Sequence, residues 1–117
     1  MRKIIHTESF ASNISNSHFI SIPVNGQMLH DVYVDFEDAV AGKVFVAVFL
    51  RDDSGTGRKY ETLLFKGWTS RPVTHLPTLH YDKKDVSLSG LLDPVLLVEV
   101  FNATGSTVTL TFTVRVS

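Results

Sequence analysis

A chain of 117 residues can bury roughly two-thirds of the surface its unfolded form exposes, so it is long enough to fold as one domain without covalent staples. It contains no cysteine, which excludes a disulfide framework, a thiolate zinc site and a thiol nucleophile. A formal net charge of −1, with acidic and basic residues scattered, supplies no positive field for a polyphosphate backbone and argues against nucleic acid as the main partner.

The opening MRKIIHTESFASNIS sets two basic residues before only Ile4 and Ile5, so it lacks the apolar stretch of a signal peptide. No apolar run approaches the roughly 20 residues a membrane-spanning helix needs. A soluble protein made in the cytoplasm is the expectation. Residues 1–17 show no sustained periodicity and are rich in Ser and Asn, which reads as an extended N-terminal arm preceding a β domain over 18–117. Such an arm is either loosely attached or ordered on a neighbouring subunit. Ile4, Ile5, Phe10 and Ile14 motivate the second reading, because they are too apolar for a purely solvated tail.

Residues 19–24 form a weak strand that its internal Pro23 assigns to a sheet edge. Val32, Val34 and Phe36 then alternate with Tyr33 and Asp35, a second strand that closes at 38–42. Residues 44–50, VFVAVFL, are apolar on both faces and predict a central strand covered on each side. A partner sheet supplies one cover; a loop, the arm or another subunit supplies the other. Residues 51–57 turn, and 58–65 return as the next strand, ending at Lys66-Gly67-Trp68 to make a hairpin with a long tip. Past Trp68, Pro72 and Pro77 frame short β-prone pieces, with strands expected at 76–81 and 86–88.

Pro94 marks the start of a strand over 95–101, followed by turn chemistry at 102–106. In the last segment Val108, Leu110, Phe112, Val114 and Val116 alternate with Thr107, Thr109, Thr111, Thr113 and Arg115. This period of two sends the aliphatic set into a core and leaves the threonines facing water or a neighbouring subunit. The last two strands read together as a C-terminal hairpin. About seven or eight short strands separated by turns predict an all-β antiparallel sandwich, as a single jelly roll with an N-terminal arm.

Candidate chemistry is sparse. His6, His18, His30, His75 and His80 lack the i, i+2 spacing by which a strand aims two ligands at one metal, so no transition-metal site and no cofactor are assigned. Asp52-Asp53-Ser54-Gly55 has the oxygen-rich composition of a calcium loop without its alternating ligand spacing, and a hairpin tip needs the same residues for conformational reasons. A glycosidase pair could be drawn from Asp35, Glu37 and Asp38, but Asp35 and Glu37 on one strand face beside a turn read more simply as a solvated edge. With no G-x-S-x-G elbow, phosphate-binding loop or dinucleotide fingerprint, an enzyme is not expected. Trp68, with Arg71 close behind, is either a large core piece or, if exposed, an interface anchor or sugar-stacking platform. Asn13-Ile14-Ser15 and Asn102-Ala103-Thr104 match the glycosylation pattern, an incidental match without a secretion signal.

The stretches VYVDFEDAVAGKVFVAVFLRDD, GRKYETLLFKGW and VLLVEVFNATGSTVTLTFTVRV, spanning residues 32–117, lead an acidic-aromatic strand through a Gly turn into a very apolar strand and finish on a Thr-rich hairpin. That layout resembles small β proteins among bacteriophage structural genes and the single jelly-roll subunits of icosahedral virions. The resemblance implies a capsid, vertex or decoration subunit located in the virion, an oligomer that acts through contacts with itself and other virion proteins. Ile4, Ile5, Phe10, Ile14, Trp68, Arg71, Thr109, Thr111 and Thr113 are the contact residues expected. The rival expectation is a carbohydrate- or receptor-binding sandwich that stacks a glycan on Trp68, Tyr60 or Tyr81.

Overall fold

Period-two alternation carries through most of the chain and builds two packed sheets. The computed structural model describes residues 2–36, 43–53, 61–69, 79–81 and 85–117. They form nine strands: β1 (Arg2–Phe10), β2 (His18–Pro23), β3 (Met28–Phe36), β4 (Val44–Asp52), β5 (Glu61–Trp68), β6 (Leu79–Tyr81), β7 (Val86–Ser87), β8 (Pro94–Asn102) and β9 (Val108–Val116). No helix among the described residues is long and apolar enough to cross a membrane.

One sheet runs β1-β9-β3-β6, with β7 also paired to β3, and the other runs β2-β8-β4-β5. All pairings are antiparallel. The pairs β1 with β9, β2 with β8, β3 with β6 and β4 with β5 nest inside one another along the chain. The chain is therefore a long ribbon folded back at the β4–β5 connection and rolled so that successive rungs alternate between sheets. Pairing of β3 with β9 and of β4 with β8 closes the roll. This is the expected jelly roll. Pro23 ends the edge strand β2 and Pro94 opens β8, each where a missing N–H costs the ladder least.

The core lies between the sheets. Val32, Val34, Leu110, Phe112 and Val114 meet Val46, Val48, Leu96, Val98 and Val100, all fully or almost fully buried. Each such side chain contributes roughly 1.5–3 kcal/mol by leaving water.

Three expectations are corrected. First, residues 2–10 are not an arm: β1 pairs along its whole length with β9, and Phe10 is only 2% exposed. Its inward positions are Ile4, His6, Glu8 and Phe10, and the two polar residues among them hide the alternation. The boundary expected at 17/18 falls in the link between two strands of the same sandwich. Second, β8 and β9 are not a hairpin, since β8 pairs with β2 and β4 while β9 pairs with β1 and β3. Turn chemistry at 102–106, including Gly105 at φ 84°, serves a crossing between sheets as well as a hairpin. Third, β3 begins at Met28, earlier than the alternation suggests. A bulge between Leu29 and Asp31 sets two β3 residues against one of β9, which allows Leu29 and Val32 both to point inward.

Asn102 ties these parts together. It is fully buried, and its Nδ2 donates to the carbonyls of Phe10 (3.0 Å) and Ser106 (2.8 Å) while its Oδ1 accepts from the Thr104 N–H (3.0 Å). Its own carbonyl accepts from the Asn13 N–H (2.9 Å) and the Ser12 hydroxyl (3.1 Å). One side chain thus fixes the end of β1 to the β8–β9 crossing, with its donors and acceptor satisfied. The same burial removes it as a glycosylation acceptor.

Candidate interaction surface

Strand alternation gives each sheet an outward face, and the two outward faces differ in chemistry. On the sheet containing β1, β9 and β3, the register sets Lys3, Ile5, Thr7 and Ser9 beside Arg115, Thr113, Thr111 and Thr109. The Thr7 and Thr111 hydroxyls lie 3.1 Å apart, and those of Ser9 and Thr109 2.9 Å apart. Arg115 sits 3.8 Å from the Asp31 carboxylate and 5.5 Å over the Tyr33 ring. Burial of Asp35 on the same face pushes its carboxyl above the ordinary carboxylate range. This face is polar and largely partnered with itself.

The outward face of β2-β8-β4-β5 is apolar. Its register forms rows across the strands. One row runs Phe101, Phe45, Trp68; the next runs Phe19, Glu99, Ala47, Lys66; a third runs Ser21, Leu97, Phe49, Leu63. A bulge after Val48 keeps Leu63 and Trp68 on this face while Leu64 turns into the core. Trp68 is 52% exposed and Phe19 60% exposed, and Leu63 is also exposed. Trp68 packs edgewise against Phe45 (centroids 5.5 Å) and Phe101 (6.2 Å). Together with Ser17 and Glu99 these rings line a shallow groove of about 290 Å³, where the Ser17 hydroxyl donates to Glu99 at 2.9 Å.

The structure sorts the residues expected to make contacts. Trp68 lies on the apolar face, exposed as the interface reading requires. Ile5 is 65% exposed on the opposite, polar face beside Thr109, Thr111 and Thr113, and Ile14 is 78% exposed in the β1–β2 link. Ile4 packs partly buried against the core, and Phe10 belongs to it, so Phe10 is corrected from contact residue to core residue. The reason is the pairing of β1, which aims both inward. Arg71, His75 and Tyr60 lie outside the described residues. Tyr81 is buried and its ring stacks on Phe65 at 6.2 Å, which removes it as an exposed stacking platform.

Phe19, Phe45, Phe101, Leu63, Lys66 and Glu99 were not foreseen. Their signal was the double-sided apolarity of β4 and β8, but which residues share a row depends on long-range register. The calcium-like segment resolves differently: Asp52 accepts from the N–H groups of Asp93 (2.8 Å) and Leu92 (3.3 Å), and Asp53 takes Arg51 at 2.6 Å. Ser54 and Gly55 lie outside the described residues. Among the described residues no group of three or more His, Asp or Glu side chains is placed to hold a metal ion.

No protein-family model matches the chain, and no curated protein matches it. Among solved structures it is similar to VP2 of infectious bursal disease virus in its subviral particle, at 10% identity and a TM-score of 0.37. That match covers 97% of this chain and 32% of the VP2 chain, so the chain spans about a third of its length. The jelly-roll assignment rests on strand order and pairing within this chain.

Proposed function

We propose that this chain is a virion structural subunit, of the capsid, vertex or decoration type that its sequence layout resembles in bacteriophages. It works by subunit contact without chemistry, its partners being further copies and other virion proteins. The observation that carries the reading is the apolar outward face of β2-β8-β4-β5, where Phe19, Leu63 and Trp68 are exposed together. A contiguous apolar patch of this kind is the mark of a protein interaction site, and aromatic residues dominate the energetics of such sites.

Light scattering of the purified chain across a concentration series tests it, beside Trp68→Ser and Leu63→Ser variants whose thermal melts report folding. Self-association in the parent that is lost in the folded variants is the expected result. A monomer at every concentration would sink the reading. One observation favours a second reading, a glycan-binding module: the groove sets the Trp68, Phe45 and Phe101 rings beside the polar Ser17 and Glu99. A melting temperature raised by an added oligosaccharide in the parent, but not in Trp68→Ser, would select it.

A further inference from the structure

We infer that the apolar face of β2-β8-β4-β5 docks a second copy of this chain, face to face, about a twofold axis that runs parallel to β4 and passes over it. The inference rests on the subunit reading above and names the first partner.

The argument comes from register. A twofold axis along β4 lays β4 on its own copy and exchanges the flanking strands, so that β8 of one copy covers β5 of the other. Residues in one row then face each other across the interface. Phe101 meets the second copy's Trp68, Leu97 meets its Leu63, and Glu99 meets its Lys66, because Glu99 and Lys66 both pair with Ala47 on β4. The symmetry repeats each contact, giving two opposite-charge pairs and no buried like charges in these three rows.

Within one copy the two charged residues stand on strands about 10 Å apart on either side of β4. Among the described residues neither takes part in an ion pair; Glu99 is engaged only by the Ser17 hydroxyl. Their charges are complementary to the same face of another copy. At the far end Arg51 approaches its symmetry mate, but its guanidinium is neutralised by Asp53 at 2.6 Å and 3.0 Å. The roughly 30° angle at which twisted sheets pack also splays the ends of such an interface.

Area agrees with a reversible dimer. The exposed parts of the aromatic and aliphatic side chains on β8, β4 and β5 come to on the order of 400 Å² per copy, or about 800 Å² for two, the size of a weak, reversible contact. Dissociation on dilution is the expected behaviour of a contact this small.

The test uses sedimentation of the full chain with Lys66→Glu, Glu99→Lys and the double variant. Each single reversal creates two like-charge pairs in its own dimer, so both singles are expected to dimerise at least tenfold more weakly than the parent. Their equimolar mixture is expected to dimerise as a pair of different chains, since Glu99 then faces Lys66 and the new Lys faces the new Glu. The double variant is expected to match the parent, which keeps the test valid if one single variant folds poorly. Single variants that dimerise like the parent, or a mixture and double variant that stay monomeric, overturn the arrangement. Association that ignores these reversals but is lost on Trp68→Ser overturns the twofold geometry while leaving the subunit reading in place. A parent that is monomeric throughout overturns both.

Discussion

Replacing Asn102 with Ala removes the side chain that joins the end of β1 to the β8–β9 crossing. The Phe10 carbonyl, buried beneath it, loses its 3.0 Å donor, while the Ser106 carbonyl and Thr104 N–H lose partners at 2.8 and 3.0 Å nearer to solvent. A buried acceptor left unsatisfied costs about 1–3 kcal/mol and each of the two half-buried bonds about 0.5–1.5, so the substitution costs about 2–6 kcal/mol. That is a large part of the roughly 5–15 kcal/mol by which a domain is stable. Asn102→Asp tests the same contacts with volume held constant. An ionised carboxylate cannot donate, so it sets oxygen against two carbonyl oxygens and destabilises more than Ala at neutral pH. The fold then holds that carboxyl protonated, with its folded pKa above its unfolded one. The variant's stability is therefore greatest below the unfolded value and is lost as pH rises through the folded one. Urea unfolding followed by far-ultraviolet circular dichroism reads both variants. A cost below about 1 kcal/mol for Asn102→Ala, or an Asn102→Asp protein as stable as the parent at pH 7, would refute the anchoring role.

Two further expectations concern the first strand and the polar face. Phe10→Ala costs about 3–5 kcal/mol through cavity formation in the core, and a chain lacking residues 1–10 fails to fold cooperatively. An unchanged melting temperature with altered association would restore the arm reading. Asp35, whose carboxyl is raised by burial, is most favourable to folding when protonated, and that contribution is lost as pH rises through its folded pKa. Asp35→Asn is therefore expected to melt higher than the parent at pH 7, with the advantage vanishing in acid below the ordinary carboxylate range. An equal or lower melting temperature at pH 7 would contradict it.

Much of the fold was legible because a strand with one buried face writes its geometry into alternate residues. Residues 108–116 show this most clearly, and 44–50 announced by their two apolar faces that something beyond the partner sheet must cover β4. Alternation failed where inward positions are polar, as at His6 and Glu8 of β1, and where a bulge shifts the phase, as at His30 in β3. It also could not distinguish a hairpin from a sheet crossing at 102–106, since both need the same turn residues. Trp68 stood out in the sequence, but its companions did not. Phe19, Phe45, Glu99 and Phe101 come from three strands separated by up to about eighty residues of chain, and only the cross-strand register brings them onto one surface. Local side-chain chemistry thus determined which segments are strands and which side of each is apolar. Tertiary pairing decided which apolar sides face one another in the core and which were left facing outward, because register is a property of two strands and not of either one.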